Sequence, residues 1–387
     1  MLSQSGFILK FRWLEVTRFQ ENVMAHSSDA AVLSTITRDL TAQAVTSPGS
    51  LLRKNRFHNH LTPQPMTMMG LLRLCGRYLF ARPVVPAPIR PLPISKLTTS
   101  QLLVSPTDTL YRLGHSTLLL KLNGEFWLTD PVFAKRASPL QWIGPKRFHE
   151  PPLIPEQLPA LKGIIISHNH YDHLDKQSIQ LLASRCEHFY VPLGVGRQLQ
   201  KWGIAAESIT ELDWWQSVQV GATQLVATPA RHFSGRGLFD TDRSLWCSWV
   251  IRSPQFSLFF SGDTGYFDGF KQIGEAYGPF DITCIETGAY DHSWPDVHML
   301  PEQSLQAHLD LDGRYMLPIH NGTFDLALHN WFEPFERISD LAAAQQVSLL
   351  MPKIGEPVQL LTPPSWYPWW RQQEAELLSM ITAMGAE

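Results

Sequence analysis

The 387-residue chain lacks the features that mark several classes of protein. Its 32 lysines and arginines are balanced by 35 aspartates and glutamates, so it has no basic excess with which to coat a nucleic acid. The four cysteines include no C-x-x-C pair, which argues against a disulfide scaffold or a structural zinc knuckle. No uninterrupted apolar run is long enough to cross a bilayer. With 44% hydrophobic and 17% charged residues, the chain is predicted to fold as one large or two ordinary domains.

Residues 1–50 give little structural signal and are predicted to be a flexible N-terminal extension. Lys10, Arg12, Glu15 and Arg18 interrupt every apolar stretch there, so the segment does not have the pattern of a secretory signal. Together with the unpaired cysteines, this favours a cytoplasmic protein.

Residues 51–97 are predicted to contain a short helix followed by a proline-rich connector. The helix covers 66–80 (MTMMGLLRLCGRYLF), where apolar residues recur at helical spacing and Arg73 and Arg77 lie one turn apart. It is too short to span a membrane but cationic enough to lie on one, which makes it a candidate for peripheral docking. Packing of this helix on the main domain is an equally weighted alternative. The prolines of RPVVPAPIRPLP forbid a helix or a central strand.

The main domain is predicted to cover residues 98–361, with an aromatic segment and a helix at 362–387. Short β-rich runs alternate with helical ones, which predicts an α/β domain of sheets covered by helices. Strands at 117–122 and 125–129 are predicted to form a hairpin around Asn123-Gly124. Further strands are expected at 163–167, 187–191, 224–228, 248–252, 257–261, 282–286 and 315–319, and helices at 175–184, 196–202 and 301–309.

A dense cluster of metal-ligand residues follows the strand GIII. The string SHNHYDHLD supplies His168, His170, Asp172 and His173 within six positions. Two histidines at i and i+2 of an extended segment point the same way, and the turn that follows brings the next pair to another side of the same pocket. Imidazole and carboxylate donors without thiolate suit Zn²⁺, with Mn²⁺ and Fe²⁺ also compatible. A chance occurrence of this string is about one in a million per position.

Three further candidate ligands each follow a predicted strand. His232 comes after LVATPAR, Asp263 after FSLFFSG and His320 after YMLPI. Because each follows a β-run, all three are expected to emerge at the same edge of a sheet. A lone histidine at a strand end is more often structural, but the three together complete the ligand supply that a two-metal site requires.

The sequence resembles the metallo-β-lactamase superfamily, which has the pattern H-x-H-x-D-H followed by single His, Asp and His residues. It is most similar to the family of phospholipases D that hydrolyse N-acylphosphatidylethanolamine, over about residues 57–360. The strings that carry this resemblance are TDPVFAKRASPLQWIGPKRF (129–148), ISHNHYDHLD (166–175), ELDWW (211–215), SGDTGYF (261–267), GPFD (278–281), GAY (288–290) and HNGTF (320–324). The resemblance implies a four-layer αβ/βα sandwich, here with an N-terminal helical and proline-rich extension, and a two-metal site at one edge.

The resemblance also implies roles for individual residues. One zinc would be held by His168, His170 and His232, and the other by Asp172, His173 and His320. Asp263 would bridge both ions, and His298 would face the substrate phosphate. Asp172, Asp263 and His298 are therefore the residues expected to act in catalysis. Asp130 and His115 are candidates for orienting the ligands, with an ordinary turn and a strand-end histidine as the alternatives.

Three positions depart from the family pattern. Val297 stands where the family has glutamine, Asn321 where it has an aromatic residue, and Phe233 where it has tryptophan. None of these changes touches the expected metal ligands. They bear on substrate preference, above all on acyl or amide specificity.

The leading hypothesis is a di-zinc phosphodiesterase that converts N-acylphosphatidylethanolamine into phosphatidate and N-acylethanolamine. Its partners would be a phospholipid and a membrane surface bound peripherally, with no nucleic acid, and the resemblance suggests a homodimer. The first alternative is a metal-dependent hydrolase of another substrate, such as a lactone or a cyclic phosphodiester. The second is a non-catalytic metal-binding scaffold at membranes.

Overall fold

The structure is a computed structural model that describes residues 48–61, 76–77, 83, 85–237, 239–363 and 365–371. The predicted helix at 66–80 lies outside the described residues, except for positions 76 and 77, which are helical. The predicted extension at 1–50 is likewise described only from residue 48. In the part of the chain that is described, no helix has the length and apolar character needed to cross a bilayer.

The first large sheet contains seven strands. They are β3 (Thr109–Arg112), β4 (Leu118–Leu122), β5 (Glu125–Thr129), β6 (Leu161–Ile165), β7 (Phe189–Pro192), β8 (Ile209–Leu212) and β16 (Pro357–Gln359). Their order across the sheet is β16-β3-β4-β5-β6-β7-β8, antiparallel as far as β5 and parallel from β5 to β8. The predicted hairpin around Asn123-Gly124 is formed by β4 and β5, and both turn residues have the positive φ that such a turn needs.

The second large sheet also contains seven strands. They are β9 (Ser217–Val220), β10 (Thr223–Thr228), β11 (Ser248–Arg252), β12 (Ser257–Phe260), β13 (Phe280–Glu286), β14 (Gly313–Ile319) and β15 (Ser348–Leu349). Their order is β15-β14-β13-β12-β11-β10-β9, antiparallel from β9 to β12 and parallel from β12 to β15. In both sheets, therefore, the parallel strands end at a common edge.

Helices cover the outer face of each sheet. Those beside the first sheet are α1 (Thr99–Val104), α2 (Lys176–Leu182) and α3 (Gly196–Lys201), and those beside the second are α4 (Gly269–Tyr277), α5 (Pro301–Asp310) and α6 (Glu333–Ala344). Local sequence sets where they begin: Asp175 caps α2 by accepting a hydrogen bond from Ser178 N, and Thr98 forms a capping box with Gln101 at the start of α1.

The two sheets pack face to face, and the alternation of side chains along each strand divides the core into layers. In β10, Leu225 and Ala227 belong to the core between the sheets, whereas Val226 faces the helices outside. The result is a helix–sheet–sheet–helix sandwich, which confirms the predicted αβ/βα fold.

The N-terminal segment contributes more to the fold than the predicted connector would. Strands β1 (Leu51–Arg53) and β2 (Arg56–His58) form an antiparallel hairpin that the sequence did not predict. Phe57 of this hairpin is buried in the core between the sheets. Val85 and Leu92, in the proline-rich stretch, are buried in the core beneath α4–α6. At positions 83 and 85–93, which are described, the stretch contains no helix and no central strand, as expected, but it packs on the domain.

Candidate metal centre

The predicted ligand cluster lies at the edge where β6 ends. After β6 the chain runs on in extended form through Ser167 and then turns, with Leu174 N donating a hydrogen bond to the carbonyl oxygen of His170. This turn brings the side chains of the segment together: His168 Nε2 lies 2.9 Å from His170 Nδ1. His168 and His173 are buried, whereas Asp172 retains 15% side-chain exposure toward the cleft.

The second sheet delivers the other candidate ligands to the same place. His232 follows β10, Asp263 follows β12 and His320 follows β14, and all three are buried. The approach is close at Gly262, which has a φ of +56°, and a Cβ added there would lie 2.6 Å from Ser167 Cβ. A side chain at position 262 would therefore push Asp263 away from the histidine segment.

The seven predicted ligands form two groups that meet at Asp263. Asp263 Oδ2 lies 3.7 Å from the Nε2 atoms of both His168 and His232. Asp263 Oδ1 lies 3.0 Å from the Nε2 atoms of both His173 and His320. The two oxygens of one carboxylate thus face different sets of donors.

Each group is close enough to surround one cation. The first consists of His168, His170, His232 and Asp263. The second contains Asp172, His173 and His320 together with His115, which was not among the seven predicted ligands, and Asp263 Oδ1 borders it. Within each group, one donor atom per residue lies within 4.8 Å of the others. Asp263 Oδ1 and His173 Nε2 are buried and make no hydrogen bond of acceptable geometry, despite their separation of 3.0 Å. Donor atoms that converge without bonding to one another fit a divalent metal, and their N/O chemistry fits zinc.

Electrostatics distinguish the two groups. Burial, reinforced by neighbouring imidazoles, holds the pKa of His168 well below its usual range, and burial lowers the pKa of His170 to about 4. Burial also lowers the pKa of His320, but Asp263 and Asp172 outweigh it and raise that pKa to about 10. Burial raises the pKa of Asp263, yet His173 and His320 hold it well below its usual range. The imidazoles of the first group are therefore neutral. In the second group, the carboxylates favour a positive charge next to them.

Asp130 orients a ligand of the second group. Its Oδ2 lies 2.6 Å from His173 Nδ1, and the backbone and hydroxyl of Ser167 both donate to its carboxylate, at 2.7 and 2.6 Å. This arrangement fixes the ring of His173 with Nε2 toward the centre. The orienting role therefore describes Asp130 better than an ordinary turn.

The first group is oriented by hydroxyl and backbone groups. His168 Nδ1 lies 2.9 Å from Ser167 Oγ, and His232 Nδ1 lies 2.9 Å from the carbonyl oxygen of Val297. The backbone of His232 is held in turn by Asn59, whose amide donates to His232 O at 2.7 Å and accepts from His232 N at 3.2 Å. The unpredicted N-terminal hairpin thus reaches the metal centre through Asn59.

His115 lies nearer the centre than an orienting residue normally would. Its Nε2 is 3.5 Å from Asp172 Oδ2, its ring centroid is 3.9 Å from that of His320, and neither ring nitrogen makes a hydrogen bond. Burial lowers the pKa of His115 to about 3, so the ring is neutral. It is therefore a further neutral donor within the second group.

His298 and Glu286 form a pair beside both groups. His298 Nδ1 lies 2.8 Å from Glu286 Oε2, and its ring centroid is 5.2 Å from that of His232 and 5.3 Å from that of His320. Sequence reasoning placed His298 at the substrate but missed Glu286. A single glutamate at the end of β13 matches no motif; the one available signal is a charged residue closing the apolar strand FDITCIE.

Two of the departures from the family pattern lie at the centre, in different environments. Phe233 is 42% exposed, and its ring is 4.6 Å from that of His170, so it borders the open side of the cleft. Asn321 is buried, and Arg112 Nη2 donates to its side-chain oxygen at 2.8 Å. Asn321 therefore supports the loop that carries His320 and does not face the cleft.

Comparison with known proteins identifies the family. The model of the beta-lactamase superfamily domain matches residues 127–321, a range that contains all seven predicted metal donors. An uncharacterised protein of Mycobacterium tuberculosis is 44% identical over 302 residues, 77% of this chain and 79% of its own length. The isothiocyanate hydrolase from Delia radicum gut bacteria superimposes with a TM-score of 0.52 at 18% identity, covering 67% of this chain and all of that one.

The chain belongs to the metallo-β-lactamase superfamily and is a metal-dependent hydrolase that binds divalent metal. Within the superfamily it is related to the N-acylphosphatidylethanolamine-hydrolysing phospholipases D. The Caenorhabditis elegans enzyme of that name is 36% identical over 247 residues, which cover 60% of this chain and 69% of the relative.

Proposed function

We propose that this protein is a two-zinc phosphodiesterase of phospholipase D type, which hydrolyses N-acylphosphatidylethanolamine to phosphatidate and N-acylethanolamine. The observation that carries the proposal is the 36% identity to the C. elegans enzyme over 69% of its length. The retention of a complete donor set, in two groups that share Asp263, supports it. A degenerate relative that served as a scaffold would have no need to keep both groups.

In this proposal each group would hold one zinc ion. The first ion would be held by His168, His170 and His232, the second by Asp172, His173 and His320, and Asp263 would contribute to both. The division of the Asp263 oxygens between the two groups, at 3.7 Å and 3.0 Å, supports this assignment. Two bound divalent ions supply Lewis acidity toward the phosphate and lower the pKa of water to about 7.

The chain's own residues prepare the site for an in-line displacement. Asp130 and the carbonyl of Val297 fix the rings of His173 and His232, so the donor geometry is set before the substrate arrives. Overall, the oxygen of one water forms a new bond to phosphorus, the P–O bond to the N-acylethanolamine breaks, and that oxygen gains one proton. The second proton of the water is released, which leaves phosphatidate as the anionic product.

Exposed apolar side chains on two loops support a lipid substrate. The loop that contains Gln141 and the loop that contains Arg236 line one mostly polar groove next to Tyr171 of the histidine segment. Trp142 is 74% exposed, Ile143 54% and Phe239 81% on these loops. Exposed aromatic and aliphatic side chains of this kind favour contact with a membrane surface, from which the phospholipid would be drawn.

The test uses zinc-loaded protein with N-acylphosphatidylethanolamine in mixed micelles made up in ¹⁸O-water. We expect equimolar phosphatidate and N-acylethanolamine by mass spectrometry, with one ¹⁸O in the phosphatidate because water attacks phosphorus. Label in a released fatty acid would indicate ester cleavage and contradict a phospholipase D reaction.

If protein with both metals measured as bound does not hydrolyse the lipid, the proposed substrate is rejected. Hydrolysis of a lactone or a cyclic phosphodiester by the same preparation would then identify the protein as a hydrolase of a different class. Inactivity toward the whole panel would favour a metal-binding scaffold.

A further inference from the structure

Glu286, the last residue of β13, places a carboxylate in the protein interior beside the metal centre. Its side chain is fully buried. Oε2 accepts a hydrogen bond from His298 Nδ1 at 2.8 Å, and Oε1 accepts one from the backbone N of Met299 at 2.7 Å. Oε2 is also 3.9 Å from His320 Nδ1, which makes no hydrogen bond of its own.

Burial of this carboxylate is energetically unfavourable. Within the described residues, no lysine or arginine forms an ion pair with it, and its partners are one imidazole and one backbone amide. An isolated buried carboxylate costs several kcal/mol unless hydrogen bonds and nearby positive charge compensate it. The energetic cost of burying Glu286 at the end of β13 points to a role in holding a neighbouring group.

The group that it holds is a histidine placed between the two ligand sets. His298 keeps 14% side-chain exposure, and its ring lies at similar distances from those of His232 and His320. Because Nδ1 is bonded to Glu286, Nε2 is the ring atom left for a substrate. The second bond of Glu286, to Met299 N, fixes the backbone next to His298, so both the ring and its attachment are held by one carboxylate.

A role for Glu286 as a metal ligand is less compatible with these contacts. Glu286, Asp263, His298 and His320 each offer a donor atom within 4.8 Å of the others. However, both oxygens of Glu286 already accept hydrogen bonds from nitrogen, and His298 turns its Nδ1 toward that carboxylate. The contacts of this carboxylate are therefore those of a group that holds His298 and the backbone beside it.

We propose that Glu286 is a positioning residue that fixes the His298 ring, so that Nε2 faces the oxygen of the departing head group. With both ring nitrogens protonated, His298 donates from Nδ1 to Glu286 and from Nε2 to this oxygen, and the Nε2 hydrogen bond stabilises the negative charge that builds there as the bond to phosphorus breaks. The inference rests on the proposed phosphodiesterase function. The pair follows the logic of the carboxylate that orients the histidine of a catalytic triad.

The first measurement is independent of activity. Protein labelled with ¹⁵N-histidine is examined by NMR for the hydrogen-bonded Nδ1–H of His298, assigned by its disappearance in H298Q. We expect the Glu286→Gln variant to lose or strongly shift this resonance, because an amide is a weaker acceptor than a carboxylate. E302Q is the matched control, since Glu302 is a half-exposed partner of Arg337 on the surface. An unchanged resonance in E286Q would overturn the proposal.

The second measurement uses a series of soluble aryl phosphodiesters whose phenols differ in acidity. We expect E286Q to lower kcat about 10- to 100-fold for the poorest leaving group and to have little effect on KM or on p-nitrophenyl substrates, which leave without assistance. E286Q should have no further effect in an H298A background, because the glutamate acts through the histidine. An equal loss for every leaving group would indicate general damage and contradict the positioning role.

Metal content separates the remaining outcomes. E286Q with the wild-type metal content and melting temperature supports positioning, whereas loss of one ion would make Glu286 a ligand and overturn the proposal. If the wild type cleaves the aryl diesters but not N-acylphosphatidylethanolamine, the lipid assignment fails and the Glu286–His298 inference is still tested in full. If E286Q proves unstable, E286D shortens the same side chain and should give the same leaving-group dependence.

Discussion

The two sheets supply the metal centre in different ways. The first sheet contributes one continuous segment after β6, in which His168, His170, Asp172 and His173 are set by a single turn. The second contributes separate residues, each at the end of its own strand and far from the next in the sequence. We call the donors from the first sheet the first half of the centre and those from the second sheet the second half. The geometry of the first half is therefore local. The geometry of the second half depends on strand register and on the packing of one sheet against the other.

The supporting contacts differ in the same manner. In the first half, Asp130 and Ser167 come from adjacent strands of one sheet and make short side-chain hydrogen bonds. In the second half, His232 is held by a backbone carbonyl and by Asn59 from the N-terminal hairpin. Damage to a side chain should therefore affect the first half more directly, and damage to packing should affect the second.

The largest effect is expected from Asp263→Ala, because Asp263 is the residue that both groups share. Loss of its carboxylate removes a donor from each group and leaves His173 and His320 without their main anionic neighbour. We expect bound metal to fall and phosphodiester hydrolysis to drop on the order of a thousandfold or more. Metal analysis and steady-state kinetics on the same preparation check this.

D263N keeps the shape without the charge and serves as the comparison. Retention of full metal content and turnover in D263A would show that the two halves do not meet at this residue.

A smaller effect is expected from Asp130→Asn, which tests the first half alone. The amide cannot satisfy His173 Nδ1 and both donors of Ser167 as the carboxylate does. We expect metal affinity or kcat to fall about 10- to 100-fold. Competition with a chelator measures the affinity.

S167A serves as a comparison, since it removes the hydroxyl contacts to Asp130 and to His168 Nδ1 and leaves the contact between Asp130 and His173. A D130N variant with the metal affinity and kcat of the wild type would contradict the orienting role of Asp130.

The contact between the halves through His149 predicts a pH dependence of stability. His149 Nε2 lies 3.1 Å from Thr323 Oγ1, in the loop that follows His320. Burial, with Arg147 adding to it, lowers the pKa of His149 to about 3. The unfolded state therefore takes up the proton first, so the stabilisation is present above pH 6.5 and is lost as the pH falls below it. Between pH 7 and 5.5 the free energy of unfolding should decrease by about 1 kcal/mol from this residue.

Chemical denaturation of the wild type and H149Q across this range tests the point, with H58Q on the exposed hairpin as the control. Identical pH profiles for the wild type and H149Q would rule the contribution out.

The smallest effect is expected on membrane binding, from the exposed loop that contains Trp142. Replacing exposed Trp142 by serine removes apolar surface available to a membrane and should weaken binding to phospholipid vesicles about tenfold. Vesicle co-sedimentation measures it, with the 51% exposed Tyr367, changed to serine, as the matched control. If both variants weaken vesicle binding equally, the loop that contains Trp142 has no special affinity for lipid.

The contrast between the halves also explains what could be predicted from the sequence. The segment His168–His173 could be identified from its own spacing, because its geometry is local. His232, Asp263 and His320 could be placed at strand ends, but their grouping came only from the family resemblance, since nothing in the text fixes which strands lie side by side. Ligand roles for all seven remain predictions, although the distances agree with them.

The missed elements include short strands and also two longer helices, α4 and α6. Strand β9 is short and largely exposed, and β1–β2 is a hairpin of two three-residue strands that gains stability from burying Phe57 in a distant core. Helix α1 has a readable start, with Thr98 and Gln101 in a capping box, but only six residues. Glu286 was missed because its importance depends on His298, which is separated from it in the sequence but adjacent to it in the structure.

The two hydrogen bonds between Asn59 and His232 make the N-terminal region part of the reaction apparatus. Cleavage by a protease between Asn59 and the sandwich, or a shortened chain that starts at Thr98, would free the backbone of His232 while leaving every metal donor in place. We expect a chain that starts at Thr98, which also lacks the buried side chains of Phe57, Val85 and Leu92, to be less stable and to bind metal less tightly through His232. Activity in this enzyme would then be under the control of a segment that contains no ligand.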